Sequence, residues 1–370
     1  MSTNQDPLVD AITLGVPTLL QLLDGLTAVL ERFNPDQHEQ LLAILQPEQV
    51  KLGKVQQTLK TASFPSHVAR FGELLMEAIT YADKAIQHID HSAVDPMRIL
   101  AASRAVCRAR EALFPSATLL APIHEFFLDP DKRRQYPLSE ANRPDFERCR
   151  VIHQAHSRET RGGYSAFVPN AARENSRPLI IALHGGTGHG RDTLWHWLTS
   201  ARSNDMSVMA PTSIDDTWSL FQVELDLHAI LENLTELTNT IPEPSAILLA
   251  GMSDGATYAL QLGLKRPDLF PNVAAFSGML DPSLLAEPPS PSNNQHIYWL
   301  HGHRDTMFPF ELANESVAAL KTKGQTSCWM SKQDWATVSL HRGYPQPSTG
   351  FKLLSRDHSV ADARRRTSTD

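Results

Sequence analysis

The fold is decided by one stretch of sequence, ILLAGMSDG at residues 247–255. An apolar run typical of a buried strand leads directly into G-x-S-x-G, and an apolar helical pattern follows over residues 255–265. Glycines two positions before and after Ser253 suit a sharp strand-to-helix turn, because larger side chains there would collide with neighbouring backbone. The helix start would direct its N–H groups and positive dipole end at the serine oxygen. The pattern predicts that Ser253 is a nucleophile on a strained turn.

A glycine-rich loop, HGGTG at residues 184–188, follows an earlier apolar run, Leu179–Leu183. An acyl-transfer site needs backbone N–H donors for the negative oxygen that develops on the attacked carbonyl. One donor is expected from Asp254, the residue after the nucleophile, and the other from this loop, where Gly186 is favoured over Thr187. The alternative is a phosphate-binding loop, but this segment lacks the spacings G-x-x-x-x-G-K-[S/T] and G-x-G-x-x-G.

A third element, HGHRDTMFP at residues 301–309, follows the apolar run Ile297–Leu300. Asp305 is expected to orient and electrostatically support a catalytic imidazole from the end of this later strand. His301 and His303 precede Asp305, whereas in hydrolases with a G-x-S-x-G turn the base follows the acid along the chain. A packing role is therefore favoured for these two histidines over a role as base or metal ligand.

Four motifs carry a resemblance by their order and spacing: LHGGTGHGRD at 183–192, LLAGMSDG at 248–255, AAFSG at 274–278 and LHGHRD at 300–305. From about Gly163 to Pro309 the chain resembles the bacterial phospholipase/carboxylesterase-type serine esterases of the α/β-hydrolase superfamily. The resemblance implies an α/β-hydrolase fold, a mostly parallel sheet with helices on both faces. It also implies hydrolysis of a small-molecule carboxylic ester through an acyl-enzyme on Ser253, with no metal or organic cofactor.

The general base has two candidates, His341 and His358. In the resembled family the base follows the acid by a few tens of residues, after one helix and one strand. His341 lies 36 residues after Asp305 and is favoured, whereas His358 lies 53 residues after it. The surroundings of His341 and the polar, arginine-rich end of the chain depart from the family pattern, so both candidates stay open.

The second half of the chain alternates short apolar runs with helical patterns, which favours a mostly parallel sheet. The predicted strands include 164–168, 179–183, 208–210, 247–250, 273–276 and 297–300, and the predicted helices 191–203, 224–239, 255–265 and 310–322. Trp218 follows the third of these strands and is a candidate wall of an acyl or alcohol pocket, with core packing as the alternative.

The first half of the chain has helical periodicity instead, for example at Leu19, Leu22, Leu23 and Leu26. We predict an N-terminal helical domain over residues 1–128, a charged and proline-bearing linker over 129–150, and a catalytic domain over 151–370. The helical domain is expected to cover the catalytic domain or to recruit a partner, and the sequence does not indicate which partner.

The composition excludes some classes of protein. With 41 acidic and 34 basic residues the net charge is −7, which argues against a general nucleic-acid binder. Three distant cysteines give neither a disulfide framework nor a zinc site. Polar residues and Pro17 interrupt the apolar stretch 8–30, which favours an amphipathic helix over a membrane span, and early positive charge typical of a signal peptide is missing. We expect a cytoplasmic protein.

Two other functions remain open from the sequence. A thioesterase or a peptidase would use the same three catalytic residues, because the choice of acyl group depends on loops and pocket shape. A non-catalytic binding protein on a hydrolase scaffold would account for the atypical C-terminal region.

Overall fold

The computed structural model describes residues 6–34, 37–92, 95, 97–136, 138, 150–154, 157–169, 175–286, 295–305, 307–323 and 326–333. The chain divides into two compact units, Met1–Pro144 and Asp145–Asp370. The division falls within residues 129–150, while the domain limits expected from the sequence stay a prediction.

The first unit is helical. Asp6 caps its first helix by accepting a hydrogen bond from the Leu8 N–H (2.9 Å), and Pro7 occupies the first turn, where a missing N–H costs nothing. The leucines that repeat at helical spacing in the sequence are buried in its core. The helices are α1 (Pro7–Glu31), α2 (His38–Thr61), α3 (Ala69–His91), α4 (Arg98–Leu113) and α5 (Ala121–Phe126), with 3₁₀ turns at Ser66–Val68 and Phe114–Thr118.

Helix α1 is the one helix in the described part of the chain that is long and apolar enough to cross a membrane. Its most apolar 18-residue window has a mean hydropathy of 1.4, so the polar residues and Pro17 interrupt it less than the sequence pattern suggests. Fifty-six per cent of that window is buried inside the structure. A core helix and an N-terminal signal sequence both have these properties, so α1 by itself does not indicate a membrane protein.

The second unit contains an eight-stranded sheet in the order β1-β2-β4-β3-β5-β6-β7-β8. Strands β1 and β2 run antiparallel to their neighbours and the other pairs are parallel. This arrangement confirms the predicted α/β-hydrolase fold. The strands are β1 (Arg150–His153), β2 (Tyr164–Val168), β3 (Leu179–Leu183), β4 (Ser207–Pro211), β5 (Ile247–Met252), β6 (Asn272–Phe276), β7 (His296–Gly302) and β8 (Thr326–Lys332).

Helices cover both faces of this sheet. The connection from β3 to β4 moves toward one edge of the sheet, and the connection from β5 to β6 moves toward the other edge. Because crossovers between parallel strands are right-handed, the helices in these two connections lie on opposite faces of the sheet. The helices are α6 (Gly190–Ser203), α7 (Val223–Thr238), α8 (Asp254–Lys265), α9 (Pro282–Ala286) and α10 (Phe310–Thr322). Apolar side chains of α7, α8 and α10 share one core, including Leu227, Ile230, Tyr258, Leu262 and Val317.

The register of the parallel strands brings three loops to the same edge of the sheet. Leu183 at the end of β3 pairs with Gly251 of β5, and Met252 at the end of β5 aligns through Phe276 with Leu300 of β7. The loops that follow these strands therefore emerge together, and ligands bind at this carboxyl edge in open α/β sheets.

Candidate active site

Ser253 is the single residue between β5 and α8. Its φ of 55° lies in the left-handed region, which residues other than glycine rarely adopt and which often marks functional sites. The Ser253 N–H donates to the carbonyl of Phe276 on the neighbouring strand (2.9 Å), which holds the turn in this conformation. The residue is 8% exposed, so it borders the surface at the edge of the sheet.

The two glycines of the motif are required by close backbone contacts. A Cβ at Gly251 would lie 2.1 Å from the carbonyl oxygen of Gly255, and a Cβ at Gly255 would lie 2.4 Å from that of His184. Neither position has room for a side chain, because the obstructing atoms are backbone. The tight turn expected from the sequence therefore has a direct steric cause.

The glycine-rich loop, residues 184–188, lies against this turn. A Cβ at Gly185 would lie 3.0 Å from the Ser253 Cβ, whereas a Cβ at Gly186, whose φ is +47°, would meet no described atom within 4 Å. Asp254 begins α8, and N–H groups in the first turn of a helix have no intrahelical acceptor. Gly185 and Asp254 thus flank Ser253, and Gly186 is the next residue along the loop, while the role of Gly186 and Asp254 as oxyanion donors stays a prediction.

His184 is a buried structural residue of the glycine-rich loop. Its Nε2 accepts the N–H of Ser213 (3.1 Å), and its carbonyl accepts the indole N–H of Trp218 (2.8 Å). Burial, and next the charge of Arg161, lower the pKa of His184 to about 3. The imidazole is therefore neutral at physiological pH and holds its neighbours in place.

Asp305 is buried in the turn that follows β7. Its Oδ1 accepts the N–H groups of Met307 (3.0 Å) and Phe308 (2.9 Å). Its Oδ2 is also buried but has no hydrogen-bond partner among the described residues. Leaving such an acceptor unsatisfied is costly, so this oxygen is suited to receive a donor from elsewhere in the chain.

The neighbouring histidines have packing roles. His301 Nε2 donates to the carbonyl of Phe308 (2.8 Å) and stays 3.9 Å from Asp305 Oδ2, while burial lowers the pKa of His301. The ring of His303 stacks on Phe310 with centroids 3.7 Å apart. Across the described ranges no group of three or more His, Cys, Asp or Glu side chains is placed to hold a metal ion.

The predicted bases His341 and His358 lie outside the described residues. The structure therefore brings together Ser253, Gly186, Asp254 and Asp305 at one edge of the sheet, and the base stays a prediction.

Trp218 is buried and belongs to the wall of a cavity. Its ring stacks on Tyr258 with centroids 5.3 Å apart and an interplanar angle of 17°. The cavity has a volume of about 740 Å³ and is lined by Arg161 and residues 214–221. Because the indole N–H is already bound to His184, Trp218 offers this cavity its ring and no free donor.

Residues 228–347 match the family described as "Putative esterase". The match covers roughly a third of the chain and contains Ser253, Asp305 and His341. The second unit has the α/β-hydrolase fold. No curated protein matches the chain in sequence.

Solved structures similar to the second unit include esterases and a peptidase. Esterase PE8 is 22% identical with a TM-score of 0.40, and the alignment covers 52% of this chain and 98% of the esterase. The acetyl xylan esterase from Aspergillus awamori is 15% identical with a TM-score of 0.42, and the alignment covers 55% of this chain and 99% of that esterase. The acylaminoacyl peptidase from Pyrococcus horikoshii is 14% identical with a TM-score of 0.37, and the alignment covers 58% of this chain but only 42% of the peptidase. These likenesses assign no substrate.

Two residues that carry no sequence signal also belong to this region, Arg161 and Asp226. Arg161 donates to the carbonyls of Asp215 (2.9 Å) and Gly188 (2.8 Å), and Asp226 accepts the N–H groups of Ile214 and Ser219. No motif marks them, since most of their partners lie in other segments of the chain.

Proposed function

We propose that the second unit hydrolyses carboxylic esters through an acyl-enzyme on Ser253. The observation that carries the proposal is the left-handed φ of Ser253 at the junction of β5 and α8, stabilised by the hydrogen bond to Phe276. The match of residues 228–347 to an esterase family supports it, and so does the unpartnered Oδ2 of Asp305 among the described residues.

In the proposed reaction, His341 removes the proton from Ser253 Oγ as the oxygen attacks the ester carbonyl. The N–H groups of Gly186 and Asp254 receive the developing oxyanion, and Asp305 supports the imidazolium. The tetrahedral intermediate collapses, the C–O bond to the alcohol breaks, and the imidazolium gives its proton to the leaving alkoxide. Water then attacks the acyl-enzyme in the same way, which releases the acid and restores the serine.

We propose the cavity beside Trp218 as the place for the acyl or the alcohol group. A volume of about 740 Å³ falls within the range of small-molecule sites. Leu220 and the fully exposed Phe221 give it apolar surface. Thr217, which also lines the cavity, donates to Asp254 Oδ2 (3.2 Å), so this wall is continuous with the residue after the nucleophile.

The test is labelling by a fluorophosphonate probe together with turnover of p-nitrophenyl esters. Ser253→Ala is expected to abolish labelling and lower turnover by up to about 10⁶-fold. Ser277→Ala is a matched control, because Ser277 also directly follows a strand, β6, and has a positive φ of 52° but is fully buried. Full activity in Ser253→Ala would rule the proposal out.

The same assay distinguishes the two candidate bases. His341→Ala is expected to remove activity and His358→Ala to retain it, because only the base takes the serine proton. The reverse result moves the base to His358 and leaves the reaction unchanged. Activity retained in both single variants would contradict histidine catalysis at either position.

A further inference from the structure

The loop between β4 and α7, residues 212–222, contacts both sides of the proposed oxyanion hole; we name it the Trp218 loop. The Trp218 indole N–H donates to the carbonyl of His184 (2.8 Å), directly before Gly185 and Gly186. The Thr217 hydroxyl donates to Asp254 Oδ2 (3.2 Å), on the residue that would supply the second donor. The position of this loop therefore affects both proposed donors.

Arg161 joins the Trp218 loop to the glycine-rich loop. Its guanidinium donates to the carbonyls of Asp215 (2.7 and 2.9 Å), Asp216 (3.0 Å) and Gly188 (2.8 Å), and also to the Ser213 hydroxyl. All four acceptors are uncharged, so the side chain acts here as a planar multidentate donor. Lysine has a single ammonium and does not reproduce that geometry.

Asp226 fixes the same loop from the side of α7. Its carboxylate is buried, with Oδ1 accepting the N–H of Ile214 (3.0 Å) and Oδ2 accepting the N–H of Ser219 (3.1 Å). These two bonds enclose the segment that carries Thr217 and Trp218. Asp226 thus holds both ends of this segment, and Arg161 holds its first half.

We propose that Arg161 and Asp226 are positioning residues of the hydrolase site. They hold the Trp218 loop against His184 and Asp254, and thereby keep the Gly186 and Asp254 N–H groups directed at the same oxyanion. This inference rests on the proposed function, since it assigns these two residues to the step in which charge develops on the attacked carbonyl.

The expected effect is on kcat rather than on KM. Displacing an oxyanion donor by about 1 Å lowers the rate of the chemical step on the order of 10²-fold. Binding of the ester in its ground state changes little, because its carbonyl oxygen carries little charge for the donors to stabilise. Arg161→Ala and Asp226→Asn should therefore lower kcat by roughly 10- to 100-fold with little change in KM. In Asp226→Asn an amide N–H₂ replaces one acceptor oxygen and faces a backbone N–H.

Two further measurements separate geometry from charge. Arg161→Lys keeps the charge and should recover little activity, whereas guanidinium ion at millimolar concentration should partly restore kcat in Arg161→Ala. Equal concentrations of ammonium ion should not. Full recovery of kcat in Arg161→Lys, or in Arg161→Ala with ammonium ion, would contradict positioning by the planar guanidinium of Arg161.

The matched control is Arg177→Ala. Arg177 is exposed, and its backbone carbonyl, which the substitution leaves in place, accepts the Ser245 N–H (3.2 Å). Hydrogen exchange gives a readout that is independent of turnover. Amides of residues 212–219 and 184–188 should exchange faster in Arg161→Ala than in Arg177→Ala, while those of β3 keep their protection in both variants.

The outcomes distinguish the two proposals. Faster exchange in both loops together with a lower kcat supports the inference. The inference is overturned if exchange in these loops is unchanged in Arg161→Ala, or if kcat stays within about twofold of wild type in both Arg161→Ala and Asp226→Asn. A wild-type chain that neither reacts with the probe nor turns over esters contradicts the proposed function, whatever the exchange data show.

Discussion

Replacing His184 by glutamine should reduce the sensitivity of the second unit to acid. The imidazole is 2% exposed and its unprotonated Nε2 accepts the Ser213 N–H. Burial lowers the pKa of His184 from its ordinary 6.5 to about 3. Glutamine places an amide oxygen near the position of Nε2, so it can accept the same N–H without taking up a proton.

The sign and size of the effect follow from proton binding. Between pH 6.5 and 3 the unfolded chain binds a proton at this position and the folded chain does not, so stability falls as the pH falls. Between pH 7 and pH 5 this single group should lower the free energy of unfolding by about 2 kcal/mol. Above about pH 8 the group is neutral in both states and contributes no pH dependence.

Urea unfolding at pH 7 and pH 5 measures this difference. All six tryptophans lie beyond residue 144, so tryptophan fluorescence follows the second unit alone. Between pH 7 and pH 5 the free energy of unfolding of His184→Gln should fall by about 2 kcal/mol less than that of wild type. The control is His228→Gln, which should behave like wild type because the His228 side chain is 75% exposed. A difference below about 0.5 kcal/mol between His184→Gln and wild type would refute the argument.

Three other perturbations test the steric, packing and domain arguments. Gly251→Ala should prevent folding of the second unit, because its Cβ would lie 2.1 Å from a carbonyl oxygen, and thermal unfolding measures this loss. The control is Gly53→Ala in α2, whose Cβ would meet no described atom within 4 Å and which should be neutral or stabilising. Leu75→Ala should destabilise the first unit by about 2–5 kcal/mol in circular-dichroism unfolding, since the side chain is fully buried, and a loss below about 1 kcal/mol would contradict that packing. Limited proteolysis should cut first within residues 129–147, and cuts confined to other regions would place the domain boundary elsewhere.

Most of the sheet could be predicted because its central strands are buried on both faces. Strands β2 and β3 have the predicted limits. A short continuous apolar run such as that of β3 is typical of a strand covered on both sides. Strand β1 gives no such pattern, because it is a four-residue edge strand that follows a charged segment. Helix α2 continues through Pro47 to Thr61, well beyond its apolar start, because packing in the first unit outweighs the local cost of proline.

The candidate site was predictable where local sterics determine the sequence. Ser253 and its glycines form a pattern within five residues, and the close contacts at Gly251 and Gly255 are the cause of that pattern. Arg161 and Asp226 could not be found in this way. Arg161 bonds to residues 27 to 55 positions away, and no spacing rule relates an arginine to carbonyl groups at such separations.

The hydrogen bond from Ser253 to Phe276 ties the conformation of the proposed nucleophile to a strand that is synthesised after it. Until β6 docks beside β5, this bond is unmade and the left-handed backbone at Ser253 loses its support. The serine would then become reactive only when this part of the sheet has formed. Probe labelling would accordingly report only native molecules, and the rate at which label accumulates after dilution from denaturant would measure how fast the central strands assemble.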